Sequence, residues 1–529
     1  MGNILTIARH TLAESIRQKT AMFLLAILGV LIGILPFATR GDNSLSGAVQ
    51  SFLSYSVSLV GFVLSCVTIF LSKSISDDLT GKQIMMLMVK PIARWQYVLG
   101  KWAGIVTLNL SILALCGGMI YGMTMYLAGQ RRGFVVAAGV LVLVAGLLMR
   151  LALRRVSLRA FFKGPWKSTV VLLALIIAPT GWSIQSLYQH LGARQPRDEY
   201  DAERLQNQVL QARYASKFKM PLDDLRAMAN QQFERGIEDG TYVESQSLNK
   251  QAIKDKLYTD LVSRWRTVIP REARPFEFED IRCDRDPEKL IHISYRLRVY
   301  NYPPDEILRC YWIVGDRTKG ARQVQVPRRD VIDRRHTLAV PSDCVAPDGT
   351  LAAVFVNENP WIAMGEKQAN NLVSFEGDNA VEVLFSVSSF GSNLIRALAL
   401  VAFRLMFLAA IAVLLTALFS FPVACLAALV AYFVAATPTF LAEALDWMPD
   451  EGAASIFTLL MQYLLWGLHA VLLPKFSDWD GLELLVEGRN VTLMWVMMGF
   501  GRLVLIQAGA LLLATCLLFR RREVAEVSI

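Results

Sequence analysis

Eight stretches of this chain, near 20–38, 51–72, 103–127, 133–150, 169–188, 395–418, 421–443 and 493–518, are apolar over close to a membrane's thickness. A helix needs roughly 20 such residues to cross about 30 Å of hydrocarbon. In lipid every backbone polar group must be satisfied within the segment, so runs of this kind fold as helices. Of the 529 residues, 54% are hydrophobic and only 19% charged, which leaves little polar surface for a soluble protein of this size. The expected fold is an α-helical polytopic membrane protein with about eight transmembrane helices. The net charge of +9 gathers beside the apolar runs. That distribution points to topology rather than nucleic acid, for which no recognition motif is present.

Charge orients the spans. Lys73, Lys82, Lys90, Arg94 and Lys101 lie in one loop, 73–102, and Arg154, Arg155, Arg159, Lys163 and Lys167 in another, 151–168. The positive-inside rule places both in the cytoplasm, with both termini, and only Arg131 and Arg132 run against it. Ahead of the first span, Ile4, Ala8, Leu12 and Ile16 recur every four residues, with Arg9, Glu14, Arg17 and Lys19 mostly elsewhere on the wheel. This reads as an interfacial helix, and no cleavable signal is evident. A further apolar run, 456–473, would put Arg520, Arg521 and Arg522 outside if it spanned. It is therefore expected to be re-entrant on the outer side, where Gln462, Trp466 and His469 suit a wet environment.

Between the fifth and sixth spans lies a polar region, 190–392, expected outside the cytoplasm as an inserted α+β domain. Residues 198–268 look helical: Ile253, Leu257, Leu261 and Trp265 form a stripe, and Gly236 and Gly240 interrupt the preceding helix. Over 275–388 the period becomes two. Ile291, Ile293, Tyr295, Leu297 and Val299 alternate with His292, Ser294, Arg296 and Arg298, which places His292 on a solvent face. Similar strands are expected at 308–314, 337–340, 351–357 and 381–387, with a turn at 347–349, enough for a small β-sandwich. The transmembrane regions are then 1–189 and 393–529. Cys283, Cys310 and Cys344 permit at most one internal disulfide, and with His292 and His336 they match no metal spacing. No metal site is expected.

No catalytic motif stands out. Gly81-Lys82 invites a phosphate-loop reading, but Ser76 and Gln83 occupy the positions that need a glycine and a hydroxyl. The chain is expected to be non-catalytic and to bind no cofactor itself. Arg404 and Arg502 lie inside spans, where charge is costly. They could line a route for an anionic substrate, or snorkel and pair with Glu443 or Asp446.

The loop between the second and third runs is built for contact. It opens with Asp77-Asp78 and Gly81-Lys82, continues through an apolar stretch to Val89, breaks at Lys90-Pro91, and ends with Arg94, Gly100 and Lys101. This acidic-Gly…Pro-x-x-Arg…Gly-Lys order resembles the coupling region of type-2 ABC exporter permeases. The interfacial N-terminal helix, the turn Ser420-Phe421-Pro422-Val423-Ala424 and the basic tail FRRREVAEV add to that resemblance. It covers 1–127 and about 395–529 and is closest to the permeases labelled with multicopper-enzyme or nitrous-oxide-reductase maturation. Asp77-Asp78 replaces that family's usual Glu, and 133–188 with the outer domain is an insertion relative to its six spans.

The resemblance implies a permease subunit in a bacterial inner membrane, paired as a homodimer or heterodimer and driven by separate ATPase subunits that hold ATP and Mg. Asp77, Asp78, Gly81, Lys82, Lys90, Pro91, Arg94, Gly100 and Lys101 would receive the ATPase stroke and couple it to export or extraction of a substrate. The basic members of this set suit anionic lipid headgroups equally well. Two other classes stay open: a mechanotransmission complex that moves its outer domain without transport, and a membrane-anchored binding or receptor protein.

Overall fold

The computed structural model describes residues 2–17, 28, 31–32, 35, 45–80, 93–127, 210–218, 222–239, 250–299, 307–332, 335–359, 372–376, 380–437 and 474–521. The chain forms two compact units, Met1–Ala212 with Ser388–Ile529, and Arg213–Val387.

The first unit is helical. Among the described residues, four helices are long and apolar enough to cross a membrane: Gly47–Asp78, Arg94–Met125, Phe390–Leu418 and Leu493–Arg520. This makes the chain a membrane protein by length and composition. A count of eight spans is not supported. The expected spans at 133–150 and 169–188 and the re-entrant run 456–473 lie outside the described residues. So does all of 20–38 except Leu28, Leu31, Ile32 and Leu35. Of the run at 421–443, Phe421–Ala436 forms a helix of 16 residues that ends at Thr437, and 438–443 lie outside the described residues.

The described residues of the loop expected at 73–102 are largely helix. Helix α1 (Gly2–Arg17) precedes α2 (Leu45–Leu71), and Ser72 separates α2 from α3 (Lys73–Thr80). Helix α4 (Arg94–Leu127) begins within the loop, so the span expected from 103 starts nine residues earlier (103 − 94). RWQYVLGK contains no proline, and its single glycine, Gly100, costs only about 1 kcal/mol, so nothing in it forces a stop before the apolar run.

Helix α1 does more than lie at an interface. Its buried face is Ile7, Thr11, Leu12 and Ser15, one position round from the expected stripe, while Leu5 is exposed. That face is pressed onto α4 at two glycines four residues apart. A Cβ on Gly100 would come within 2.7 Å of the Ile7 side chain, and one on Gly104 within 2.8 Å of the Ala8 carbonyl. Small residues at this spacing let helix backbones approach closely.

Downstream, α5 (Leu222–Glu238) and α6 (Lys250–Arg266) pack together in the second unit. Helix α5 passes through Gly236, which near its end costs only about 1 kcal/mol. The expected all-helical stretch 198–268 also holds a strand, β1 (Gln211–Lys217). Ala212 and the charged Arg213 are both buried, so no apolar–polar alternation marks it in the sequence.

The rest of the second unit is strand: β2 (Thr267–Val268), β3 (Ala273–Phe278), β4 (Leu290–Arg296), β5 (Arg298–Val299), β6 (Ile307–Val314) and β7 (Val324–Val331). After these come β8 (Arg335–Pro341), β9 (Leu351–Asn357), β10 (Val373–Ser374) and β11 (Val381–Ser389). They form sheets ordered β1-β11-β4-β8, β2-β10-β5 and β3-β9-β6-β7. The registered pairs are antiparallel. Ile293, Tyr295, Val340 and Val383 of the first sheet share one core with Phe276, Phe278, Trp312 and Phe355 of the third. Pro275 and Pro327 fall on β3 and β7, the outermost strands of their sheet, where a missing N–H is tolerated. The 347–349 turn forms as expected, with Gly349 at φ +81° and Asp348 Oδ1 accepting from Thr350 N at 2.9 Å.

After β11 come α7 (Phe390–Leu418) and α8 (Phe421–Ala436), and then the described segment 474–491, which contains α9 (Leu482–Val486). This segment runs antiparallel along α7. Val491 N donates to Asn393 Oδ1 at 2.8 Å. Gly481 sits against Ala397 and Leu400, and Phe476 against Phe407. The last span is composite: α10 (Leu493–Gly499), a π-helix over Phe500–Ala508, and α11 (Gly509–Arg521).

Candidate functional site

The base of the expected coupling loop is a buried ionic knot. Helix α3 supplies Asp78 and α4 supplies Tyr97 and Lys101. Lys101 Nζ lies 2.7 Å from Asp78 Oδ2, and the Tyr97 hydroxyl donates to the same oxygen at 2.8 Å. Lys101 also donates to the Ser74 carbonyl at 3.4 Å, and Glu14 of α1 stands 3.8 Å away. Only 3% of the Lys101 side chain and 11% of that of Asp78 is exposed. Burying such charges is tolerable only with this degree of pairing.

Four segments meet here. Arg94 Nη1 donates to the carbonyls of Phe519 at 2.7 Å and Arg520 at 3.1 Å, so it caps the end of α11. A cation at a helix C-terminus satisfies orphan carbonyls and opposes the dipole. The Tyr97 and Phe519 rings pack 6.2 Å apart. The two arms of the loop are thus fastened to the first helix and to the last.

Of the residues expected to act in coupling, Asp78, Arg94, Gly100 and Lys101 converge on this base. Asp77 is exposed on α3. Gly81, Lys82, Lys90 and Pro91 lie outside the described residues. Sequence reasoning gave Glu14, Ser74, Tyr97 and Phe519 no place in the coupling set. Only the polar face of α1 and the aromatic at position 97 gave any signal.

The two arginines within spans part company. Arg404 of α7 donates to the Phe476 carbonyl at 2.8 Å, pairs with Asp480 at 3.4 Å and lies over the Phe476 ring. Glu443 and Asp446, its expected partners, lie outside the described residues. Arg404 therefore fastens the 474–491 segment to α7. Arg502 is exposed on the π-helix.

The second unit holds a buried polar cluster. Asp330, 2% exposed, accepts from Tyr295 at 2.5 Å and Arg328 Nε at 3.1 Å, with His336 Nδ1 at 3.6 Å and Cys310 Sγ at 3.7 Å. A thiol, a carboxylate and an imidazole suggest nucleophilic chemistry. However, burial and the Asp330 charge push the Cys310 thiol far up, away from the reactive thiolate. The Arg328 charge answers Asp330, so the cluster reads as structural. Among the described residues no group of His, Cys, Asp and Glu could hold a metal ion. All three cysteines of this unit are free. With a charged maleimide on the folded protein, half-buried Cys283 is expected to label, and fully buried Cys310 and Cys344 only after unfolding. Mass spectrometry of the labelled peptides checks this.

His292 is buried, not solvent-facing, because β4 is an inner strand covered on both faces. Burial and the nearby Arg213 charge push its pKa from the ordinary 6.5 down to about 4. Below pH 6.5 the unfolded chain takes up a proton that the folded one refuses. Stability present above that pH is expected to fall by roughly 3 kcal/mol on acidification towards pH 4, then level off. Hydrogen exchange of β4 amides should follow this slope in the wild type and lose it in His292→Gln.

No family model matches the chain, and no significant similarity links it to curated proteins or solved structures.

Proposed function

We propose that this chain is the permease subunit of an ATP-binding-cassette transporter, coupling hydrolysis on a separate ATPase to export or extraction of a substrate. One observation carries the reading. The loop whose residue order resembles a coupling region has a base tied to α1 by Gly100 and Glu14 and to α11 by Arg94. A push on residues 81–93 would reach the first and last helices as well as the two spans it joins. Chemically, such a base passes on force and carries out no reaction.

In this reading the loop is cytoplasmic, the Arg213–Val387 unit is extracytoplasmic as a β-sandwich carrying two helices, and the full set of spans is about eight in a bacterial inner membrane. ATP and Mg belong to the ATPase partner, and a second permease copy completes the assembly. The separate core of the β-rich unit supports mechanotransmission as the alternative outcome.

The test is purification from native membranes with the associated ATPase, followed by reconstitution. Arg94→Glu places a carboxylate against the α11 carbonyls. It is expected to abolish stimulation of ATP hydrolysis while leaving membrane insertion intact, with Arg94→Lys retaining part of it. Unchanged stimulation in Arg94→Glu defeats the assignment. Hydrolysis without flux of lipid or solute, with nucleotide-dependent cleavage of the β-rich unit, selects mechanotransmission.

A further inference from the structure

Arg502 is an exposed cation among exposed apolar side chains in the last span. Met498, Leu505, Ile506, Leu513 and Leu517 are all exposed, whereas Leu503 and Gln507 are buried against the bundle. Among the described residues Arg502 has neither an ion pair nor a hydrogen bond. In a π-helix, bonded i→i+5, residues four apart lie close to one face. Met498, Arg502 and Ile506 therefore stack in line on the outer side of the segment, and Leu513 and Leu517 continue that stripe through α11.

Position along the helix tells what the cation meets. The span Leu493–Arg520 has 28 residues. That is about 42 Å at the helical rise, longer than the roughly 30 Å of hydrocarbon. Arg520 and Arg521 mark one end. Counting back about 20 residues puts the opposite hydrocarbon boundary near Met498. Arg502 then lies one turn inside that boundary. Side chains on a helix lean towards its N-terminus, here the Thr492 end, so the guanidinium reaches back towards the headgroups.

We propose that Arg502 binds the phosphate of a phospholipid in the leaflet at the Thr492 end, with an acyl chain lying along Ile506, Leu513 and Leu517. The guanidinium fork matches phosphate oxygens. A hydrocarbon surface around a cation with no partner among the described residues matches an anion that carries its own acyl chains. This site stands independently of any ATPase. It reassigns Arg502 from a substrate route to the lipid boundary.

The test uses the full chain, purified in mild detergent with its native lipid and examined by native mass spectrometry. Wild type is expected to retain one more phospholipid per chain than Arg502→Leu, and Arg502→Lys to retain it. Nanodiscs of a phosphate-free glycolipid, doped with spin-labelled phosphatidylglycerol, provide a second reading. The immobilised lipid signal should appear for wild type and vanish in Arg502→Leu. Should the leucine variant fail to fold, Arg502→Gln takes its place in both measurements. Equal lipid retention and equal immobilisation in wild type and variant overturn the proposal. Unchanged lipid with a lower oligomeric state in the variant also overturns it, since the arginine would then serve a second copy of the chain.

Discussion

Lys101→Met is expected to cost about 3–5 kcal/mol of folding stability, because it leaves the Asp78 carboxylate buried without its cation. Methionine keeps the volume, so the loss reports charge rather than packing. Asp78→Leu alone should cost a similar amount by orphaning Lys101. Combining Lys101→Met, Asp78→Leu and Tyr97→Phe removes the lysine, the carboxylate and the hydroxyl together, leaving only the more distant Glu14 and the Ser74 carbonyl behind, and much of the stability should return. Unfolding of the purified protein in detergent measures all of these. Single variants within about 1 kcal/mol of wild type would show that water or lipid reaches Lys101 despite its burial. The same series separates stability from coupling: the triple variant should be folded yet less rigid at the base, because a network of directed bonds is replaced by apolar contact.

Trp312→Ala carries the other large effect, about 3–5 kcal/mol from the β-rich unit. The side chain is fully buried, with ring centroids 4.8 Å from Tyr295 and 5.2 Å from Phe355. Its Nε1 has no hydrogen-bond partner among the described residues. Trp312→Phe removes that unmet donor along with some volume, so it should be far milder than alanine. Limited proteolysis reads the outcome. The alanine variant should lose the protected Arg213–Val387 fragment while the helical unit stays protected, since each has its own core. Equal protection of that fragment in the alanine variant and wild type would refute the packing argument.

Hydropathy was enough to find the helices at 51–72, 395–418 and 493–518, because length and apolarity are local properties. Alternation likewise located β4, β6, β8, β9 and β11. What it missed had a physical cause in each case. The β7 sequence VQVPRRDV looks like a basic loop, because an outer strand faces water and tolerates Pro327. His292 sits at an outward position by alternation, and only the covering of the second face of β4 buries it. Lys101 resembles an ordinary inside anchor beside a span. Its burial depends on Asp78 across a loop and on two glycines that admit α1. The partner of Arg404 is Asp480, 76 positions away (480 − 404) on a segment with no regular period. Motif order pointed to the loop at 73–102, but only the folded chain brings Glu14 and the α11 end to its base.

The prolines on β3 and β7 have a consequence for how crowded copies of this protein behave. A four-stranded sheet with open sides can recruit a strand from a neighbour, and continued recruitment is how sheets grow into aggregates. Here both flanks of the β3-β9-β6-β7 sheet lack one N–H each, and β7 also presents the exposed Arg329. An incoming strand would find its hydrogen-bond ladder interrupted on either side and like charge along one of them. That sheet resists extension at both of its described flanks, so crowding of copies in a membrane is not expected to knit neighbours together through it.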